Sequence, residues 1–166
     1  MSDQKLIDEA TRFLGDDEQV LAAGMFQPRG TTGGRMSVTG AGFMTDSLAG
    51  EVAGAVAGLA SGQAMSRADG VPRWTLLALT PTTLHALACA QRGTRWVPEE
   101  VFATFDRARI RATVHAGVNV RVLTIEDPDT GRSYGWEGYR FGPAHAKDVI
   151  EALDAEPVDP PPDDDA

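Results

Sequence analysis

The stretch RWTLLALTPTTLHALACA, residues 73–90, decides the fold that this sequence predicts. It contains two apolar runs, RWTLLALT and TLHALACA, which are separated by the dipeptide Pro81-Thr82. Proline presets the φ angle that a tight turn requires, and each run has the length of a strand. The stretch therefore predicts two strands joined by a short turn.

Four more strands follow this unit, and a helix closes the series. The predicted strands are VFATFD (101–106), RIRATVHAG (109–117), VNVRVLTIE (118–126) and RSYGWEGYRF (132–141). The last two are separated by DPDTG (127–131), which is typical of a hairpin turn. In GPAHAKDVIEALDA (142–155), Pro143 suits a first helical turn, and apolar residues recur at helical spacing. This apolar stripe consists of Ala146, Val149, Ile150 and Leu153.

Before residue 73, the sequence predicts one helix, one strand and an insert. The first residues, MSDQKLIDEATRFLG, have apolar residues on one helical face, and Gly15 is suited to end the helix. EQVLAAGMFQP (18–28) predicts a strand that Pro28 ends. The predicted organisation is an N-terminal helix (1–15), a single domain (16–154) with a Gly-rich loop and helical insert (28–70), and a disordered acidic, proline-rich tail (155–166).

This order of elements predicts an α+β protein, with an antiparallel curved sheet or open barrel, a C-terminal capping helix and a Gly/Ala-rich helical insert. LLALTPTTLHALA (76–88) resembles the strand–turn–strand of small bacterial pleckstrin-homology-like (PH-like) domain proteins. The strand succession and the final helix AHAKDVIEAL (144–153) are similar as well. The resemblance covers residues 19–27 and 74–154. It implies a binding or adaptor role more than catalysis.

Acidic charge is concentrated at the C-terminal end of the sequence. The 166 residues have a net charge of −9, and DAEPVDPPPDDDA, which begins at Asp154, contains six acidic residues and no basic one. The remainder is nearly balanced, so we expect no nucleic-acid partner. The single cysteine, Cys89, precludes an internal disulfide, and the N-terminus lacks the features of a signal peptide. We therefore expect a cytoplasmic protein.

No set of residues predicts a catalytic, cofactor or metal site. VTGAGF (38–43) is similar to the glycine-rich start of short-chain dehydrogenases, but Met44 and Asp46 stand where the later glycines belong. The three histidines stand thirty residues apart, and none has a second ligand at metal-binding spacing. They are His85, His115 and His145. We expect no cofactor and no metal.

A row of arginines is one of two features that point to binding. Arg107, Arg109 and Arg111 alternate along a predicted strand, and Arg121 comes near them across the predicted hairpin. Guanidinium groups on one strand face bind anions such as lipid phosphates and carboxylates. The acidic residues Asp163–Asp165 are a further candidate, because the tail can fold back onto the row. A solvated sheet face without a ligand is the alternative interpretation.

The other feature is GEVAGAVAGLASGQA (50–64), in which glycine recurs at every fourth residue. Each interior glycine costs a helix about 1 kcal/mol relative to alanine, so such a helix needs a close packing partner. Small residues at this spacing let another backbone approach, as in a glycine zipper. The predicted packing surface consists of Gly50, Gly54, Gly58, Gly62, Ala53 and Ala57.

Three interpretations of this segment stay open. The helix packs against its own domain or a second copy, or the segment is a mobile insert, or it enters a membrane over Leu48–Met65. Glu51 argues against the membrane, because a carboxylate near the bilayer centre costs roughly 2.5 kcal/mol or more.

The sequence favours a non-enzymatic binding or adaptor domain of unknown ligand. A protein partner or a second copy of the chain is expected at the glycine-spaced helix. A peripheral membrane or anionic-lipid-binding module is the first alternative, with the arginine row and the same helix at the membrane surface. An enzyme without a recognisable motif is the second alternative.

Overall fold

The computed structural model describes residues 3–31, 71–139 and 144–158, which form an α+β fold with one open sheet. Within these residues the helices are α1 (Asp3–Leu14) and α2 (Ala146–Ala152). The strands are β1 (Ala22–Pro28), β2 (Thr75–Leu79), β3 (Thr83–Arg92), β4 (Arg95–Asp106), β5 (Arg111–Ala116), β6 (Val120–Asp127), β7 (Arg132–Tyr139) and β8 (Glu156–Pro157). The predicted α+β class is confirmed.

The sheet consists of two halves that meet at β1. Its strand order is β4-β3-β2-β1-β7-β6-β5-β8, and only the β5–β8 pair is parallel among these strands. Strands β1 to β4, which we call the first half, pair with one another in chain order. Strands β5 to β8 form the second half. In the described strands, the register between the halves pairs Gln27 with Glu137 and Pro28 with Trp136, and just beyond it the N–H of Arg29 donates to Gly135 O at 3.1 Å.

The hairpin that the opening stretch predicts is formed by β2 and β3. Thr80 closes its turn twice: its N–H donates to Thr83 O at 2.8 Å, and its Oγ1 accepts the N–H of Thr83 at 3.0 Å. The DPDTG turn joins β6 to β7, and the N–H of Gly131 donates to Asp127 O at 2.9 Å. All six strands predicted after the insert are therefore present, as β2 to β7.

Helix α1 covers one face of the first half, which we call the outer face. Leu6 and Ala10 lie one turn apart on α1 and are buried there against Met25 and Leu76. Gly15 ends the helix with a φ of +104°, a value that favours glycine, as the sequence predicts.

Helix α2 covers the opposite, inner face. The predicted apolar stripe, Ala146, Val149, Ile150 and Leu153, is buried in the main core. A Cβ added to Gly24 of β1 would lie 2.8 Å from the backbone oxygen of His145, just before α2. The N–H of Met25 donates to Ala144 O at 2.7 Å. The start of α2 is thus held directly against the backbone of β1.

Strand β4 is longer than the sequence predicts. It begins at Arg95 rather than Val101, because the turn at Gly93, with a φ of +64°, lets β4 pair with the whole of β3. Pro98 lies within this added part. Proline is tolerated there because β4 stands at the edge of the described sheet and has one side without a strand partner.

Strand β8 lies within the segment predicted to be a disordered tail. Asp154 adopts a φ of +55° after α2, and the N–H of Ala155 donates to Ile150 O at 3.4 Å. This pattern is a Schellman-type helix end, which turns the chain back along β5. The tail prediction therefore begins too early, and its remaining residues, 159–166, lie outside the described residues.

Several predictions cannot be placed on the structure. The glycine-spaced helix (50–64), the rest of the insert after Thr31 and the VTGAGF stretch (38–43) all lie outside the described residues. Within the described ranges, no helix combines the length and the apolar character that crossing a bilayer requires.

Candidate ligand-binding groove

The structure separates the four arginines that the sequence groups into one row. Arg107 and Arg109 lie in the turn between β4 and β5 instead of on a strand. Asp106 forms this turn, because its Oδ1 accepts the N–H of Ala108 at 2.9 Å and its carbonyl accepts the N–H of Ile110 at 3.2 Å. Aspartate commonly forms such turns. The predicted alternation along one strand face is therefore wrong for Arg107 and Arg109.

Three of the four guanidinium groups contact the chain itself. The contacts are Arg107 Nη2 to Ala152 O at 2.6 Å, Arg109 to Asp129, and Arg111 Nη2 to Glu156 Oε2 at 3.2 Å. Glu156 belongs to the acidic C-terminal segment. One acidic residue of that segment thus already pairs with an arginine of the predicted row.

Arg121 stands apart from the other three arginines. In the β5–β6 ladder, Arg111 is opposite Glu126, whereas Arg121 is opposite Ala116. The two positions are five residues apart along β5, which is about 17 Å at the usual rise of a strand. In the part of the chain that the structure describes, the guanidinium group of Arg121 has no hydrogen-bond or ion-pair partner.

Arg121 lines an open groove between the end of β5 and α2. The groove has a volume of about 500 Å³. Its lining residues are Val114, His115, Ala116, Arg121, Ile150, Pro157 and Val158. Val114 and Ala116 share the inner face because they alternate along β5, and Arg121 joins them because it is directly opposite Ala116. Ile150 of α2 forms the facing wall.

The end of β8 forms the rim of this groove. The N–H of Val158 donates to Val114 O at 2.9 Å, and Nδ1 of His115 lies 3.4 Å from Val158 O. The Val158 side chain remains 41% exposed, so apolar surface faces the open side of the groove. Apolar walls beside one guanidinium group suit a ligand that has both an apolar part and a negative charge.

The other histidines lie elsewhere in the fold. His85 is on the outer face of β3, where its Nε2 lies 3.9 Å from Glu18 Oε2. His145 stands at the start of α2, and its Nδ1 lies 3.3 Å from Asp148 Oδ2. Within residues 3–31, 71–139 and 144–158, no three His, Cys, Asp or Glu side chains come together as a metal site.

Cys89 is also remote from the groove, because it packs against the outer-face cluster under α1. Burial raises the pKa of its thiol from the ordinary 9.0 to about 12. Its Sγ lies 3.6 Å from Leu87 O. At neutral pH the side chain is therefore a protonated thiol rather than a nucleophilic thiolate.

The chain matches no family model, no curated protein and no solved structure. The groove is consequently interpreted from its own residues. Sequence analysis identified Arg121 but missed the rest of the groove. One sequence signal for the rim of the groove was available, because Val158 is the one large apolar residue between Leu153 and the C-terminal end of the sequence.

Proposed function

We propose that this chain is a non-enzymatic binding or adaptor domain with a PH-like architecture. Support for the architecture comes from the succession of antiparallel strands β1 to β7 and from the C-terminal helix α2 packed on their inner face. These are the elements on which the resemblance to PH-like proteins is based. A location in the cytoplasm is part of the same proposal.

The groove between β5 and α2 is the observation that carries the binding role. It offers apolar side chains, Val114, Ile150 and Val158, next to the guanidinium group of Arg121, which has no partner among the described residues. A ligand that fills it buries apolar area and pairs one carboxylate. We therefore propose that the ligand is an extended segment of a partner protein that carries an acidic residue beside an apolar one.

Strand β8 illustrates how such a segment binds. Glu156 and Pro157 lie opposite Thr113 and Val114 in parallel register, and Glu156 pairs with Arg111. A short segment with these properties therefore already adds to the edge of β5. Strand addition with side-chain pockets is a recurrent way in which domains recognise peptides.

The reactive side chains of the described residues lie in different parts of the fold, and this supports a non-enzymatic role. Catalysis by a nucleophile and a general base requires the two groups within hydrogen-bonding reach of each other. Cys89 and His85 lie on the outer face, whereas His115 lies at the rim of the groove and His145 at the start of α2.

The anionic-lipid alternative has weaker support. A lipid headgroup needs several cations that are free at the same time, but Arg107, Arg109 and Arg111 contact groups of their own chain. Flotation of the intact chain with vesicles of phosphatidylserine and phosphatidylcholine tests this alternative. We expect no salt-sensitive binding to these vesicles.

A peptide-display experiment tests the proposed groove. A library of random peptides on phage is selected against the intact chain, and the selected peptides are then measured with two variants. Ala116→Phe places a large side chain in the groove, whereas the matched control Ala108→Phe places it on the exposed turn between β4 and β5. We expect Ala116→Phe to weaken binding at least about tenfold, and Ala108→Phe to leave it unchanged.

The proposed groove is refuted if every selected peptide binds both variants equally well. It is also refuted if amide shifts caused by a peptide fall outside Val114, Ala116 and Ile150. Vesicle binding with no peptide binding would favour the lipid alternative instead.

The glycine-spaced segment remains a second interaction element of the proposal. Deleting residues 48–65 removes its small-residue surface while leaving every described strand in the chain. We expect the mass of the native chain in light scattering to exceed that of one chain, and the deletion to reduce it to one chain. An unchanged mass after the deletion contradicts this part of the proposal.

A further inference from the structure

We infer that the acidic C-terminal segment of this chain, residues 159–166, binds in cis to the groove between β5 and α2 and pairs with Arg121. The inference rests on the proposed function, because it concerns the same groove. It names the segment that occupies the groove in the isolated chain and the class of segment that the groove binds. It also corrects the predicted position of the tail, from the whole arginine row to Arg121 alone.

The direction of β8 brings the tail towards Arg121. Because β8 runs parallel to β5, the chain leaves Val158 towards the end of β5 at Ala116. Ala116 is the register partner of Arg121. From Val158, the chain of Arg121 is two strand spacings away across the sheet, with β5 between them. The two residues are also offset by one residue along the strand direction, so their Cα atoms lie about 10 Å apart.

The prolines of the tail prevent further pairing with β5. Pro160, Pro161 and Pro162 have no N–H, so a parallel strand cannot continue through them. They instead favour an extended polyproline II conformation of about 3.1 Å per residue. Asp163 is five positions after Val158 in the sequence, a maximal span of about 18 Å, which is ample to reach Arg121.

Charge complementarity selects the acidic residues as the occupant. Asp163, Asp164 and Asp165 give the tail three consecutive carboxylates, and Arg121 is the guanidinium group that the groove presents. The Arg111–Glu156 pair is a neighbouring example of the same contact. Tethering raises the local concentration of the tail to the order of millimolar, so a weak contact is populated in cis.

The inference assigns a ligand class and a mode of control to the groove. An acidic segment of a partner protein competes with the tail for Arg121, and it binds better when the tail is neutralised or displaced. The groove is then self-occupied in the isolated chain and is opened by competition.

NMR of the arginine side chains tests the contact on the intact chain. The variant Asp163→Asn/Asp164→Asn/Asp165→Asn removes the negative charge of the tail and keeps its length and prolines. We expect the Nε–Hε signal of Arg121 to differ between the native chain and this variant, and the difference to vanish in 1 M salt. The exposed Arg132, at the start of β7, is the control and should not respond.

A peptide in trans provides the second measurement. The acetylated peptide DPPPDDDA is added to both chains, and its counterpart with three asparagines serves as the matched control. We expect the acidic peptide to bind the variant chain about tenfold more tightly than the native chain, because the native groove is already occupied. The asparagine peptide should bind neither chain.

Identical Arg121 signals in the two chains at low salt overturn the inference. If displayed peptides still bind and are blocked by Ala116→Phe, the proposed function survives that result. If Arg121 responds to the tail but no displayed peptide binds the charge-neutralised chain, the cis contact stands and the proposed function fails.

Discussion

The two halves of the sheet differ in how many of their faces are covered. Every residue of β1 and β2 is buried, because α1 covers their outer face and the main core covers their inner face. No residue of β5 is buried, and in β6 only Leu123 and Ile125 are. Strands β1 and β2 therefore form the buried centre of the sheet, whereas β5 supplies accessible surface.

This difference explains why the groove lies where it does. A strand that is covered on both faces and paired with a strand on each side, as β1 and β2 are, has neither a side chain nor a backbone edge left for a ligand. Among the described residues, the edge of β5 away from β6 is paired with the two-residue β8 alone, and the end of β5 at Ala116 is exposed. The site that we propose is thus built on the part of the sheet that contributes least to the core.

The largest expected effect compares one side chain from each half. Leu77 of β2 is fully buried, so Leu77→Ala should lower the free energy of unfolding by about 3 kcal/mol. Val114→Ala, in the half-buried β5, should cost less than about 1 kcal/mol. Urea denaturation measures both values. Equal losses would mean that Val114 is packed as tightly as Leu77.

The next effect concerns the contact between β1 and α2. Gly24→Ala should destabilise the protein by about 2 kcal/mol, because the new Cβ meets the backbone of His145. Gly135→Ala in β7 is the milder comparison, because its new Cβ would lie 3.2 Å from the Cβ and Cδ of Arg29 and would not meet backbone, and we expect a loss of about 1 kcal/mol. Thermal denaturation distinguishes the two variants. A Gly24→Ala variant as stable as the native chain would show that α2 does not sit against β1.

A smaller effect appears at alkaline pH. Burial in the first half raises the pKa of Cys89 from 9.0 to about 12, so its contribution to stability is complete below pH 9 and is lost as the pH rises towards 12. Between pH 7 and 10.5 the native chain should lose about 1–2 kcal/mol more than Cys89→Ala does. Parallel pH profiles in urea denaturation would mean that the thiol is solvated in the folded chain.

The smallest effect lies in the link from α2 to β8. Asp154 has a φ of +55°, which is strained for any residue with a Cβ, so Asp154→Gly should stabilise the protein by about 0.5 kcal/mol. The control, Asp148→Gly within α2, should destabilise it by about 1 kcal/mol. Differential scanning calorimetry detects both changes. A destabilising Asp154→Gly would indicate that the aspartate side chain, rather than the backbone, sustains this turn.

Much of the fold was predictable from local patterns. The six strands after the insert, the Pro81 turn and the buried stripe of α2 were all recognised from apolar runs and turn residues. The start of β4 was missed because Pro98 and two glutamates resemble a loop, and only pairing with β3 makes the segment a strand. Strand β8 was missed because two residues carry no periodicity.

The candidate site was much less predictable. The alternation of arginines along the sequence suggested that Arg107 and Arg109 share a strand face with Arg111. Asp106, which precedes them, forms a turn instead. The walls of the groove come from residues more than thirty positions apart, such as Val114 and Ile150. No pattern within one window of sequence brings such residues together.

The sequence by itself determined the kinds of elements and their order, because apolar periodicity and turn residues act over a few neighbouring positions. Only the tertiary structure decided which faces are covered and which charges are paired. The partners of Arg107 and Arg111, Ala152 and Glu156, each lie 45 residues away along the chain. Such contacts depend on how α2 and β8 pack against the second half of the sheet, and that packing is a property of the whole fold.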